Sequence, residues 1–182
     1  MHTGQNRHVA FYSSHTVVIV LMGVSGAGKT TVGTQLADDL DWEFFDGDEF
    51  HPAANIDKMA EGIPLDDEDR WPWLRALHDF IHERLIVGAP AVVACSALKA
   101  SYRDVLLDGN QGARLVYLKG PRELIRRRLE ARADHFFDAE LLATQFDALE
   151  EPCPDEALTV SIDQPPEAIV RTIKEALVDN VA

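Results

Sequence analysis

The segment that most restricts the possible folds of this chain is GVSGAGKT, residues 23–30. It matches G-x-x-x-x-G-K-[ST] at every position. The continuous apolar run 17–22 comes before it and predicts a strand buried on both faces, and a helical pattern, 29–40, follows it. A strand, a glycine-rich turn and a helix in this order indicate a phosphate-binding loop, in which backbone N–H groups and the positive end of the helix face an anion.

This loop predicts the nucleotide site. Lys29 is expected to reach the outer phosphates, and the hydroxyl of Thr30 is placed for Mg²⁺. The residues expected to bind the nucleotide are Gly23, Val24, Ser25, Gly26, Ala27, Gly28, Lys29, Thr30 and Thr31. The alternative, a glycine-rich turn that matches by chance, is disfavoured by the strand and the helix on either side.

Apolar runs alternate with helical patterns along the rest of the chain, which predicts an α/β fold: a parallel five-stranded sheet with helices on both faces. The predicted strands are 17–22, 42–45, 91–94, 114–118 and 158–162. The predicted helices are 29–40, 53–61, 69–87, 99–107, 121–133, 141–149 and 165–178. Residues 1–16 are expected to be a disordered lead and 17–182 one domain, with a functional insertion at 47–88.

Composition narrows the functional classes. The formal net charge of −14 argues against nucleic-acid and anionic-membrane partners, which need a basic surface. Cys95 and Cys153 stand far apart in no metal-binding spacing, so we expect neither a disulfide framework nor a zinc site, and a reducing cytoplasm fits. The first 16 residues lack the apolar core of a signal peptide, and the longest apolar run, 17–22, is too short to cross a membrane.

The acidic segment DGDEFHP, residues 46–52, follows the second predicted strand and should therefore lie at the carboxyl edge of the sheet, beside the phosphate loop. Carboxylates repel the phosphate groups beside them, so acids at this position are expected to have a functional role. Asp46 is predicted to hold Mg²⁺ through water, and Asp48 to accept a hydrogen bond from an acceptor hydroxyl and take its proton. The alternative is an acidic turn that caps the next helix, which we favour for Glu49 alone.

Several longer motifs carry a family resemblance. They are DGDEFHPAANIDKMAEGIPLDDEDRWPWL, CSALKASYRD, YLKG and HFF…LLATQFDALEEP. Together with the phosphate loop they resemble the small ATP-dependent gluconokinases of bacteria, from about residue 17 to the last helix. The resemblance implies a P-loop kinase fold with a lid at about 121–140. It also implies transfer of a phosphoryl group from ATP to D-gluconate with Mg²⁺, and a homodimer.

The substrate that this resemblance implies is a polyol with one carboxylate. Its hydroxyls need partners such as Asp48, His51 and Asn55. Its carboxylate needs a cation, and Lys99 and Arg103 are candidates because they follow the third strand at i and i+4 of one predicted helix. Arg70 is a further candidate; the alternative for Lys99 and Arg103 is a solvated helix face. The two tryptophans of RWPWL are predicted to pack rather than to take part in chemistry.

The arginine-rich segment PRELIRRRLEAR is expected to belong to the lid, where arginines neutralise charge on the transferring phosphoryl group. Arg128 and Arg132 match the pattern of the family that the chain resembles and are the predicted catalytic pair. Arg122, Arg126 and Arg127 are expected to be a solvated face paired with acids. Two alternatives stay open: a kinase for another small acceptor such as shikimate, adenylyl sulfate or another sugar acid, and a non-catalytic nucleotide-binding module.

Overall fold

The computed structural model describes residues 17–131 and 139–178. The strands are β1 (Val18–Met22), β2 (Glu43–Asp46), β3 (Ala91–Ala94), β4 (Ala113–Lys119) and β5 (Ala157–Ser161). The helices are α1 (Lys29–Leu40), α2 (Ala53–Ala60), α3 (Asp67–Val87), α4 (Ala100–Leu107), α5 (Arg122–Glu130), α6 (Ala139–Ala148) and α7 (Pro166–Leu177). A short 3₁₀ turn, Gly47–Phe50, follows β2. The predicted strands and helices are confirmed, with ends that differ by up to a few residues.

All five strands are parallel and lie in the order β2-β3-β1-β4-β5. β1 is central, and every one of its residues is buried, as its uninterrupted apolar sequence predicted. Because parallel strands all end at the same edge of the sheet, the loops that follow β1, β2 and β3 are brought together.

The sheet divides two apolar cores. One packs β1 and β4 side chains such as Ile19, Leu21 and Val116 against α1, α5, α6 and α7. The other packs Val18, Val20 and Val93 against α3 and α4. Helices therefore cover both faces, which confirms the predicted α/β class.

The segment between β2 and β3 contains the 3₁₀ turn, α2 and α3. The start of α3 is fixed by a capping box: the Asp66 carboxylate accepts from the Asp69 N–H at 2.9 Å, and the Asp69 carboxylate accepts from the Asp66 N–H at 3.1 Å. Lys58 of α2 then pairs with Asp69 at 2.6 Å. The two helices are thus tied together where the acceptor-binding residues were predicted. Within the described residues, no helix is both long enough and apolar enough to cross a membrane.

Candidate active site

The phosphate loop and the acidic segment meet at one edge of the sheet. In the strand register, Ala94 of β3 pairs with Leu21 of β1 on one side and with Asp46 of β2 on the other. Just beyond, the Gly23 N–H donates to the Ser96 carbonyl at 3.3 Å. The fold therefore places the end of β3 between the phosphate loop and the predicted acids.

A buried thiol also reports this convergence. Burial raises the pKa of Cys95 to about 12, and the charges of Asp48, Lys29 and Asp46 also act on it. The charges of these three predicted functional side chains therefore all act at the residue that directly follows β3. Their neighbourhood comes from parallel strand order, since the chain separates Lys29 from Asp46 by a whole helix.

The phosphate loop is wrapped around its own lysine. Lys29 Nζ donates to the carbonyl oxygens of Gly23 at 2.8 Å and Val24 at 3.1 Å. Gly28 precedes α1 with φ of 96°, a left-handed conformation that glycine adopts without strain. Thr30 and Thr31 are exposed in the first turn of α1. The N-terminus of a 12-residue helix therefore follows the loop directly, with two exposed threonines in its first turn.

A cavity of about 460 Å³ adjoins this loop. Gly26, Gly28 and Thr31 line one side of it, and Arg128 of α5 lines another. Another wall comes from the turn after β5 and the start of α7: Gln164, Pro166 and Ile169. The mixture of a phosphate loop, one arginine and an apolar wall suits a nucleotide, with phosphates at one end and a base at the other.

Arg128 is directed towards this cavity by a backbone contact. Its Nη2 donates to the Ile162 carbonyl at 2.7 Å, at the end of β5. Arg126, by contrast, pairs with Glu123 and Glu130 of its own helix at 2.8 Å each, as predicted for the solvated face. Arg132, the second predicted catalytic arginine, and residues 132–138 of the predicted lid lie outside the described residues.

The acidic turn after β2 presents Asp48 to solvent. The Asp48 side chain is 79% exposed. Asp46 Oδ1 accepts from the Asp48 N–H at 3.1 Å and so caps the 3₁₀ turn. Gly47 between them is buried, and a Cβ there would lie 2.4 Å from the Ala94 carbonyl oxygen. Only glycine lets the turn lie this close to β3, and that contact sets where the two carboxylates stand.

Trp73 holds the same turn from the other side. It is buried on α3, and its indole Nε1 donates to the Gly47 carbonyl at 2.7 Å. Its ring stacks on His51, with 4.3 Å between centroids and 12° between planes. The prediction that the tryptophans pack is right for Trp73 but incomplete, because the indole N–H also positions the acidic turn. Its hydrogen bond joins residues 26 positions apart and has no signal in the sequence.

His51 and Asn55 form one unit whose tautomer follows from the contacts. Asn55 is buried, and its Nδ2 donates to the Asp69 carbonyl at 2.8 Å, which fixes the orientation of the amide. The same Nδ2 lies 3.2 Å from His51 Nδ1, which must therefore accept. The proton of the neutral ring then sits on Nε2, 3.9 Å from Asp48 Oδ1. Burial lowers the pKa of His51, with Asp48 opposing the shift, so the neutral ring is favoured.

A second cluster gathers donors around one carboxylate. Lys99 Nζ donates to both oxygens of Asp67 at 2.7 Å, and the Tyr102 hydroxyl also donates to Asp67. Arg70 Nη1 lies 3.6 Å from Asp67 and donates to the Tyr102 hydroxyl at 3.3 Å. The hydrogen bond to Lys99 lowers the pKa of Asp67 and raises that of Lys99. Two of the predicted substrate cations, Lys99 and Arg70, thus converge on a carboxylate.

The prediction that Arg103 binds the substrate carboxylate is wrong for this structure. Arg103 is 2% exposed, and its guanidinium pairs with Glu156 while Nη1 donates to the carbonyls of Leu98 at 3.2 Å and Glu150 at 2.8 Å. The i, i+4 spacing from Lys99 does not put the two side chains together, because α4 begins only at Ala100. Arg103 instead holds the loop that carries Lys99.

Glu150 supports that loop as well, and sequence reasoning missed it. Its N–H donates to the Leu98 carbonyl at 2.9 Å, and its carboxylate accepts from the Ala100 N–H at 2.7 Å, at the start of α4. Asp67 and Tyr102 were also missed. Asp67 lies in a run of four acids that gives no reason to single it out, whereas the acids of the turn after β2 follow a strand directly.

The strand order and the phosphate loop define the class of this protein, a P-loop kinase of the α/β type. A family model for the AAA domain matches residues 18–152. Shikimate kinase from Acinetobacter baumannii has a TM-score of 0.59 over 94% of this chain and 97% of its own, at 23% identity. At that identity the likeness concerns the fold alone.

Two further comparisons are much closer. The thermoresistant gluconokinase of Escherichia coli is 47% identical over 162 residues, which are 88% of this chain and 93% of the relative. The crystal structure of a gluconokinase from Sinorhizobium meliloti has a TM-score of 0.80 at 43% identity and covers 91% of this chain and 95% of its own. The chain therefore belongs to the gluconokinase family.

Proposed function

We propose that this protein transfers the γ-phosphoryl group of ATP to a hydroxyl of D-gluconate, giving 6-phosphogluconate and ADP. The observation that carries the proposal is the arrangement at the sheet edge: a phosphate loop, an exposed carboxylate in a turn that Trp73 holds, and a set of donors that already binds a carboxylate. Membership in the gluconokinase family agrees with it. A nucleotide-binding module would need only the first of the three features.

The nucleotide half of the site uses the phosphate loop and the adjoining cavity. The loop N–H groups and the start of α1 would bind the phosphates, and Lys29 would exchange its carbonyl partners, Gly23 and Val24, for phosphate oxygens. The wall of Gln164, Pro166 and Ile169 would lie against the base. Arg128 would neutralise charge that develops on the transferring group, and Arg132 is proposed for the same role on family resemblance alone.

Mg²⁺ fits the oxygen ligands that the site offers. Thr30 is exposed, and Asp46 is half-buried at the same edge of the sheet. Among residues 17–131 and 139–178, no three or more His, Cys, Asp or Glu side chains are grouped to hold a metal, which agrees with an ion that draws most of its ligands from phosphates and water. Thr30 and Asp46 would hold the ion, which supplies positive charge beside the phosphates when bound.

The acceptor half uses the acidic turn and the donor cluster. Asp48 would accept the hydrogen bond of the attacking hydroxyl and take its proton. His51 would donate from Nε2 to a sugar hydroxyl or to Asp48, and Asn55 would keep the ring in that tautomer. Lys99 and Arg70 would bind the gluconate carboxylate, since both lie at a carboxylate in the structure. Asp67 pairs with both cations, so a bound gluconate carboxylate would compete with Asp67 for them.

The test is ADP release with Mg·ATP and a panel of acceptors: D-gluconate, its epimers, shikimate and adenylyl sulfate. We expect gluconate to stimulate turnover strongly, and Asp48→Asn to lower kcat by about a hundredfold or more, as loss of a general base does. Turnover with a different acceptor would overturn the substrate and keep the kinase. No stimulation by any acceptor would favour the nucleotide-binding module.

Lys99→Met separates the carboxylate-binding role from general charge effects. We expect it to raise the KM for gluconate by tenfold or more, since a charge-assisted hydrogen bond contributes about 1.5–3 kcal/mol, and to leave the KM for ATP unchanged. Lys119→Met is the matched control, because Lys119 is an exposed lysine that also pairs with an acid, Glu151, at 2.6 Å. Equal gluconate KM values in the two variants would contradict the assignment.

We also propose that the protein is a homodimer, on the family resemblance. We propose a cytoplasmic location because both cysteines are free. Light scattering of the purified protein at several concentrations tests the assembly, and a mass of one chain throughout would refute it. Cell fractionation tests the location.

A further inference from the structure

A glutamine outside the predicted site holds the tip of the phosphate loop. Gln145 lies on α6, and its Oε1 accepts from the Ser25 N–H at 2.7 Å. Its Nε2 lies 3.0 Å from Ser25 Oγ, to which it donates. The two residues are 120 positions apart, and both are partly buried. One side-chain amide thus binds both the backbone and the side chain of a single loop residue.

The peptide group between Val24 and Ser25 is restrained at both of its polar atoms. Its carbonyl oxygen accepts from Lys29 Nζ at 3.1 Å and from the Ala27 N–H at 3.2 Å, and its N–H donates to Gln145 at 2.7 Å. When Lys29 turns to phosphate, the first of these bonds is lost. The bond from the Ala27 N–H to the carbonyl and the bond from the Ser25 N–H to Gln145 then fix the plane of this peptide, and hence the direction of the loop N–H groups that follow it. Of these two partners, Gln145 is the one that comes from outside the loop.

The next residue of the tip, Gly26, packs against α5. Gly26 has φ of 82°, and a Cβ on it would lie 2.8 Å from Leu129 Cγ and 3.1 Å from Ile125 Cγ2. Glycine at this position has a wide range of backbone conformations in the absence of contacts. The loop therefore keeps its shape because α5 packs against Gly26 and Gln145 binds Ser25.

We infer that Gln145 is a positioning residue for nucleotide binding: it preorganises the phosphate loop through the Val24–Ser25 peptide. The inference rests on the proposed nucleotide site and does not depend on which acceptor is phosphorylated. A preorganised loop loses less conformational entropy when it binds the phosphates, so loss of Gln145 is expected to weaken the affinity for the nucleotide. The affinity for the acceptor should not change, because the predicted acceptor ligands lie on the turn after β2 and around α3 and α4.

The experiment measures the Kd of Mg·ATP by titration calorimetry without any acceptor, together with the thermal midpoint of each protein. Gln145→Leu removes both hydrogen bonds and is expected to weaken ATP binding by about tenfold, whereas Ser25→Ala removes only the Oγ bond and should weaken it by about threefold. The double variant should bind ATP no more weakly than Gln145→Leu, because the two changes remove the same contact. Thr144→Val is the control on the same helix, since Thr144 is exposed and its hydroxyl donates to the Leu141 carbonyl of α6 itself at 2.8 Å.

A Kd for Gln145→Leu within twofold of the Thr144→Val value would overturn the inference, even if the thermal midpoint falls, because that result describes a purely structural glutamine. Strictly additive losses in the double variant would overturn it as well. In steady state, the KM for ATP should rise in Gln145→Leu while the KM for gluconate stays within about twofold. Failure of gluconate as an acceptor would refute the proposed substrate and leave the ATP titration as it stands.

Discussion

Replacement of Trp73 by phenylalanine tests whether the acidic turn is held from α3. The change removes the indole donor and leaves the Gly47 carbonyl, which lies in a buried contact 2.7 Å from Nε1, without that partner. It also shortens the ring that stacks on His51 at 4.3 Å. The backbone of α3 needs no adjustment, because phenylalanine is smaller and equally apolar.

The expected loss of stability follows from these two contacts. An unsatisfied buried acceptor costs about 1–3 kcal/mol. The smaller ring buries roughly 40 Å² less apolar surface, which corresponds to about 1 kcal/mol. The free energy of unfolding should therefore fall by roughly 2–4 kcal/mol, which leaves a folded protein because domains have about 5–15 kcal/mol in total. The loosened turn should also raise the KM for gluconate through Asp48 and His51, and leave the KM for ATP unchanged.

Urea unfolding and steady-state kinetics measure both effects. Trp71→Phe is the matched control: Trp71 lies in the same motif, is partly exposed, and meets Tyr102 edge-on at 5.6 Å, a contact that phenylalanine retains. Unfolding free energies of Trp73→Phe and Trp71→Phe within about 0.5 kcal/mol of each other, at equal m-values, would refute the reasoning. An unchanged gluconate KM in Trp73→Phe would show that the indole does not position the acceptor site.

Two further predictions concern titration and thiol chemistry. Burial lowers the pKa of His51 below its usual 6.5. As the pH falls through about 6.5, the unfolded chain therefore binds a proton at this residue before the folded protein does, and the free energy of unfolding decreases. The variant His51→Gln should lose less stability between neutral and acidic pH. Urea unfolding midpoints at pH 7.5 and 5.5 measure this loss, and an equal decrease in wild type and His51→Gln would contradict the prediction. The hydrogen bond to Asp79 raises the pKa of His78, which stabilises the folded state as the pH falls, but this contribution is the same in both proteins. The Cys95 thiol is buried with a pKa of about 12, while Cys153 is exposed, so a thiol reagent should modify Cys153 alone in the folded protein and both cysteines in urea. Fast modification of Cys95 without denaturant, detected by peptide mass, would show that the end of β3 opens.

Much of the fold could be predicted from the sequence, because its signals are local. Alternation of apolar runs with helical patterns reflects a period of 2 or 3.6 residues, and each element follows from its own residues. α1 and β3 were predicted with the same bounds that the structure has, and α3 was predicted two residues late because its start depends on the capping box of Asp66 and Asp69. The phosphate loop could be assigned for the same reason, since its motif, strand and helix are contiguous.

The arrangement of side chains around the site was decided by tertiary structure. The sequence by itself determined the strand–loop–helix that binds phosphate and the acids that follow β2. It did not determine that Arg103 turns inward to Glu156, that Asp67 binds Lys99, or that Gln145 binds Ser25. Each of these contacts joins different elements, and which partner a long polar side chain finds depends on how the sheet and its helices pack, not on spacing along the chain.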